Sequence, residues 1–354
     1  MKKMITRKIL AAGLALAALG LASAARGQTI VTFGGGNASQ TILYDRVTNI
    51  LTGGITSVTI AHTNSVVRTY IGNISGATGV NPVTINFSLL GAGQGLNDLA
   101  SQSPETLATG GSTNLDVAVS SASPIVVGVD PTSFSDGVET LAIPYAFVKN
   151  AAKSPDLANV TNLTERQANY LEGASGYLPT AFFGGDSASA PIYLVARNSA
   201  SAVRLEIDAN IHFTGTISTW TTNSSGQPVQ DTNSFGQGSG SAVRALLAAL
   251  PNSIGTVAAS DISTETALAF EGVPYSIANV ENGSYPLWFY EKWFFSATKT
   301  LSANQSLVIN SLLGSVTNAS FQATNSVFTN YFVPLGSLQV SRPSDGGPIV
   351  STIY

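Results

Sequence analysis

The chain has 354 residues, enough for two domains, and a formal net charge of −4. Only 10% of its residues are charged, against roughly 25% in an average soluble protein, and no Lys/Arg cluster follows the first eight residues, so binding along a nucleic-acid backbone is excluded. There is no cysteine, which excludes disulfides, thiolate catalysis, cysteine metal sites and a lipid-bearing cysteine after a signal.

In chain order, the basic "MKKMITRK" leads into "ILAAGLALAALGLA", an apolar stretch too short to span a bilayer comfortably. Ala22, Ser23 and Ala24 make a small-residue cleavage site. Residues 1–24 therefore read as a signal peptide, and its loss removes Lys2, Lys3, Arg7 and Lys8, leaving a charge near −8. No later run is long enough to span a membrane. The expected product is periplasmic or secreted, without a stable membrane anchor after cleavage.

"TIVTFGGGNAS" reads as a strand entering a glycine turn, and "QTILYDRVTNIL" carries Ile42, Leu43, Val47 and Ile50 at helical spacing. "VTINFSLL" is a strand, "GAGQG" a tight turn and "LNDLASQ" a helix; "LDVAVSS" is another strand running into small residues. The repeated unit of strand, small-residue turn and helix predicts α/β layering with parallel sheets. In "NLTERQANYL", Thr164 is a candidate N-cap with Gln167 three residues on, as in a capping box. In "SGSAVRALLAAL", Ser239 or Ser241 caps a further helix and Pro251 follows its end. "SIGTVAAS" reads as a strand, "SANQSLVINSLL" as a late helix and "SLQVSRPSDGG" as a strand leaving the fold. The polar segment between Thr214 and Gly240 is a surface connector or hairpin.

Two stretches carry unusual chemistry. In "PIYLVARNSASAVRLEI" a single arginine, Arg197, ends an apolar strand and precedes a helical pattern. "YPLWFYEKWFF" is a dense aromatic run, expected to be a buried strand rather than a sugar-stacking platform. The two histidines, His62 and His212, lack metal-ligand spacing, and no G-x-S-x-G elbow occurs. Neither a metal nor a cofactor is expected.

Five segments, in order, resemble the phosphate-binding proteins that serve phosphate ABC transporters: "VTFGGGNASQTILY", "INFSLLGAGQGLNDLA", "LDVAVSSASPI", "NLTERQANYLEG" with "IYLVARNSASAVRLEI", and "GSGSAVRALLAALPNSIGTVAAS" with "VENGSYPLWFYEKWFF". The resemblance implies a two-domain, type II periplasmic-binding-protein-like α/β fold with a hinge of two crossing strands. It places a discontinuous first domain at residues 25–142 plus 258–354 and an inserted second domain at 143–257. It further implies a binding protein rather than an enzyme, capturing inorganic phosphate or another oxyanion for a transporter permease.

Carried over residue by residue, the resemblance makes Arg197 the binding arginine and Ser201 the serine at the following helix start, with Ala202 supplying a backbone N–H. Asn37, Ala38 and Ser39 stand where the family's first loop has threonine or serine. Ala92 and Gly93 stand at serines of its second loop. Ser121, beside Ser120, stands at its proton-accepting aspartate, and Val203 lacks the hydroxyl of its threonine. The departures leave open a surface protein that kept the scaffold and lost the ligand. An esterase-like enzyme would need a histidine or metal beside a cleft serine.

Overall fold

The computed structural model describes residues 28–52, 59–62, 66–75, 77 and 79–352. The predicted signal peptide lies outside the described residues.

Its centre is a sheet built from β1 (Thr29–Gly35), β2 (Leu51–Thr52), β3 (Thr59–His62), β4 (Val67–Ile74), β5 (Val83–Ser88), β6 (Val117–Ser120), β7 (Phe134–Lys149), β8 (Tyr193–Val195), β9 (Ser253–Ala258), β10 (Thr266–Ala267) and β11 (Trp288–Ser296). The spatial order is β8-β9-β7-β11-β6-β1-β5-β4-β2, with β10 added to β7 and β3 to β4. β1 runs parallel to both β5 and β6, and β8 runs parallel to β9. These are the parallel units that the strand–turn–helix pattern predicts. The sheet as a whole is mixed, because β4 returns as a hairpin partner of β5 while β11 and β7 run antiparallel to their neighbours.

One strand joins two lobes. β7 is 16 residues long. It pairs with β11 as far as Pro144 and with β9 from Tyr145 onward. β11, β6, β1, β5 and β4 make the sheet of the first lobe; β8, β9, β10 and the end of β7 make that of the second. β5, β6 and β9 are buried at every position, as expected of strands covered on both faces.

The helices that matter to the site are α1 (Gln40–Ile50), α2 (Ala92–Ser101), α3 (Glu165–Ala174), α4 (Ala202–Asn210), α5 (Gly240–Ala249) and α6 (Ala303–Val316). α1 buries Ile42, Leu43 and Val47 of the stripe its spacing predicts, and Tyr44 beside them, with Ile50 only half-buried. It packs against α6, while α2 packs on β1 and β6. A glycine pair sets the approach of α2. A Cβ on Gly95 would lie 2.4 Å from the Gly35 Cα, and Gly35 itself has φ +123° with no room for a Cβ against the Val119 carbonyl. Only glycine at both positions lets the helix start sit on the end of β1.

The aromatic run is core. Trp288, Phe289 and Trp293 have no exposed surface, and Trp293 meets Phe33 edge-on at 5.3 Å. The predicted C-terminal strand reduces to Val340–Ser341, paired with Val350–Ser351. The intervening turn folds back onto the molecule, where Asp345 accepts the Ser123 N–H and Gly346 lies against Ala209.

Candidate functional site

Parallel α/β sheets bind ligands beyond the carboxyl ends of their strands, where consecutive connections leave in opposite directions. β1 is such a point, since β5 and β6 flank it. Residues that follow β1 (Gly36, Asn37, Ala38), β5 (Gly91, Ala92) and β6 (Ser121) meet Arg197, Ser201, Ala202 and Val203 from beyond β8. Together with Ile143, Tyr145 and Glu291 they enclose a cavity of about 20 Å³, a little more than the ~10–15 Å³ that one water needs. A larger groove of about 500 Å³ lies elsewhere, between Ile277, Gln322, Phe332 and Leu335. Its lining holds Glu281 as the only charged residue, so it offers no cation to an anion.

Arg197 is 3% exposed. Its Nε donates to the Gln237 carbonyl and its Nη2 to the Gly238 carbonyl, both at 3.1 Å. No carboxylate forms an ion pair with it among the described residues. Burial pulls its pKa down, and the nearby Asp261 carboxylate partly offsets this. The guanidinium is therefore anchored by two carbonyls, while its Nη1 has no hydrogen-bond acceptor among the described residues. Such an arginine is organised for a charge-assisted contact with an anion.

Three helices begin at the cavity, and none has a side-chain cap. Ser39 before α1, Gly91 before α2 and Ser201 before α4 make no capping hydrogen bond. Longer helices that begin elsewhere are capped, unlike the four-residue helix Pro124–Val127: Thr164 and Gln167 close a full capping box on α3, Ser239 caps α5, and Ser302 with Gln305 forms a second box on α6. An uncapped N-terminus presents unpaired N–H groups and a partial positive charge. The Ala202 and Val203 N–H groups have no acceptor among the described residues.

Of the residues singled out in the sequence, Asn37, Ala38, Ala92, Ser121, Arg197, Ser201 and Ala202 line the cavity. Three do not. The Ser120 hydroxyl closes its own turn, donating to the Ala122 carbonyl at 2.6 Å. The Gly93 N–H donates to the Ala200 carbonyl at 3.0 Å, tying the two lobes directly. Ser39 is fully buried behind the wall, with no hydrogen bond of good geometry on its Oγ. Ser121 does line the cavity, but its hydroxyl is engaged by the Tyr145 hydroxyl in a very short hydrogen bond. Ala92, Ala122 and Ala202 pack together across the cleft. Of the three, Ala92 stands where the resemblance implies a serine.

Glu291, Tyr145 and Ile143 were not anticipated. Glu291 is 2% exposed on β11, in the inward row Phe289–Glu291–Trp293. Glu291 pairs with Leu141 and Lys292 with Glu139, so Thr140 is the extra residue of a bulge. Thr140 Oγ1 lies 3.2 Å from both the Glu291 carbonyl and its Oε1. Burial pushes the Glu291 pKa up to about 7, and the Ser39 and Thr140 hydroxyls offset part of that rise. Burial likewise pushes the Tyr145 hydroxyl well above its ordinary range. The sequence signal for Glu291 was there: one acid at alternating spacing inside a buried aromatic strand.

Fold and site together define a two-lobed protein with an enclosed cleft fitted with donors. No protein-family model and no curated protein sequence matches the chain. Solved structures do. A candidate phosphate ABC transporter substrate-binding protein from Clostridium perfringens, solved with bound phosphate, aligns at TM-score 0.54 and 16% identity, covering 86% of this chain and 100% of that one. An ABC-type phosphate transport receptor from Vibrio cholerae aligns at TM-score 0.54 and 14% identity, over 85% and 99% of the two chains. A human phosphate binding apolipoprotein aligns at TM-score 0.51 and 16% identity, over 86% and 91%. The chain has the two-domain α/β fold of the phosphate-binding, periplasmic-binding-protein-like structures. The similar structures are binding proteins rather than enzymes. Among the described residues no helix is long and apolar enough to cross a membrane.

Proposed function

We propose that the protein is an extracytoplasmic binding protein that captures an oxyanion, most readily phosphate, in the cleft between its lobes and delivers it to an ABC transporter permease. One observation carries this reading. The buried Arg197, in ion-pair contact with no carboxylate among the described residues, shares its cavity with the uncapped starts of α1, α2 and α4. Nothing else in the cavity wall compensates that positive character except Glu291. An anionic protein can hold an anion there because local N–H groups and the guanidinium set the field.

Residues 25–142 with 258–354 form the first domain in this proposal, and 143–257 the second, although β10 (Thr266–Ala267) pairs with the second-lobe end of β7. The proposed crossings are near Ile143–Pro144 and near Thr256–Ala258; this is supported by β7 leaving β11 after Pro144 and pairing with β9 from Tyr145. Closure about these strands would bury the ligand without chemistry. In this proposal residues 1–24 act as a signal peptide that directs the protein to the periplasm or outside the cell.

A second reading, a scaffold that has lost its ligand, draws support from the alanine contact across the cleft and the Gly93–Ala200 bond. Titration calorimetry separates the two. The protein is unfolded and refolded to strip bound anion, then titrated with phosphate, sulfate, arsenate and molybdate. The oxyanion reading requires saturable binding that Arg197→Ala abolishes. Silence from a folded protein across the panel leaves the scaffold reading.

A further inference from the structure

We propose that Glu291 is the proton carrier of the cleft: capture of a fully ionised oxyanion takes up one proton onto the Glu291 carboxylate. This rests on the oxyanion reading and adds its regulation.

The argument begins with position. The Thr140 bulge and the alternation of β11 hold Glu291 in the same cavity wall as Arg197, Ser121 and Ala202. Only Thr140 donates to it with good geometry. The groups around it can be named by element. On β7 it faces Tyr145, which is neutral, and Thr140. From the loop before α1 comes the Ser39 hydroxyl. From beyond β8 comes Arg197, with Asp261 behind it. On α4, Glu206 lies within electrostatic reach of the same Tyr145. On its own strand, Lys292 is committed to Glu139 at 2.9 Å. No cation pairs with Glu291 among the described residues.

The charge balance follows. Arg197 is the one cation of the wall. An anion bound beside an ionised Glu291 would set two negative groups against it in a dry site, and like charges at close range disfavour ionisation. Protonation removes the repulsion and turns an acceptor into a donor aimed at the ligand. Before any anion arrives the carboxyl is already poised near neutrality by burial. Binding would raise its affinity for a proton further, and linkage makes the effect reciprocal. The proton comes from solvent and goes to a Glu291 carboxylate oxygen; no bond of the ligand changes.

The test uses sulfate, which carries no proton near neutrality, titrated calorimetrically into the stripped protein in buffers of different ionisation enthalpy. The wild type should take up close to one proton per sulfate on the alkaline side. Its affinity should fall roughly tenfold per pH unit above the Glu291 titration. Glu291→Gln, a permanently uncharged isostere, should bind sulfate with no proton uptake and no such slope. Sulfate binding by the wild type without proton uptake overturns the proposal and leaves the oxyanion reading standing. So does a Glu291→Gln protein that keeps the wild-type slope. If neither protein binds sulfate or phosphate at any pH while both remain folded, the oxyanion reading fails and this inference falls with it.

Discussion

Glu172 has no exposed surface, and neither of its carboxyl oxygens has a hydrogen-bond partner. It lies on α3 facing the Arg204–Asp208 ion pair of α4. Burial pushes its pKa up, Asp208 pushes the same way, and Arg204 opposes them. The folded value is thus above the unfolded one, so the native state holds the extra proton. Stability is fully present below the unfolded carboxyl range, falls as pH rises, and is lost once pH passes the raised folded value. Glu172→Gln removes that dependence. In urea unfolding the variant should match the wild type near pH 4 and exceed it at pH 8 by on the order of 2 kcal/mol. An unchanged pH slope would mean that Glu172 does not carry the charge penalty. The contrast between Arg197 and Glu291 shows what single residues reveal in sequence. Arg197 was legible because a lone arginine ending an apolar strand has no surface rationale in a chain with so few charges. Glu291 was signalled only by alternation, as the one acid in the row of Phe289 and Trp293, and an acid between Tyr290 and Lys292 also reads as the wet edge of a strand. What local spacing does not encode is its partner: the bulge that sets Thr140 against its carboxyl is a register fact.

At the scale of elements, capping divides the helices by role. Thr164→Ala on α3 should cost about 1 kcal/mol of stability in chemical denaturation and leave anion binding untouched. The cleft helices invite the opposite substitution. Val203 lies at the start of α4, 3% exposed in the cavity wall. Val203→Thr adds a hydroxyl of nearly the same shape where the free N–H groups already point. It should weaken the empty protein by about 1–2 kcal/mol, because an unpaired hydroxyl is buried. It should also tighten phosphate binding about tenfold or more, because a hydrogen bond to a charged ligand contributes about 1.5–3 kcal/mol. A Val203→Thr protein with unaltered affinity would place the ligand away from α4. The helices and their caps were readable because capping is local: Thr164–Gln167 and Ser239 each act within one turn. Sheet order was not, since the antiparallel placement of β11 between β6 and β7 joins segments some 150 residues apart. The tail failed for the same reason; "SLQVSRPSDGG" has strand-like residues, but its partners are side chains and backbone of both lobes.

For the whole molecule, that tail decides how firmly the lobes stay together. Arg342 donates to the Pro286 carbonyl and to Asn210 Oδ1 of α4, and its guanidinium lies 4.8 Å from the Phe289 ring centroid. Asp345 accepts the Ser123 N–H of the first lobe at 2.6 Å. The same carboxylate faces Glu206 on α4 of the second lobe, while Gly346, at φ +65°, packs against Ala209. One turn thus touches both sides of the cleft. Glu206 is completely buried, and burial together with Asp345 drives its pKa well above the ordinary range, against the pull of Arg342 and Lys292. Its proton is therefore part of the closed arrangement: rising pH removes it and sets two carboxylates against each other across the turn. Glu206→Gln should keep the closed form on the alkaline side, where the wild type loosens. Asp345→Ala should free the Ser123 amide and weaken the tie at every pH. Hydrogen exchange at Ser123, read with the radius of gyration from small-angle scattering, checks both. Faster exchange and a larger radius in anion-free Asp345→Ala identify the tail as a latch. Exchange as slow as in the wild type would leave the Gly93–Ala200 bond and the alanine contact as what holds the cleft shut.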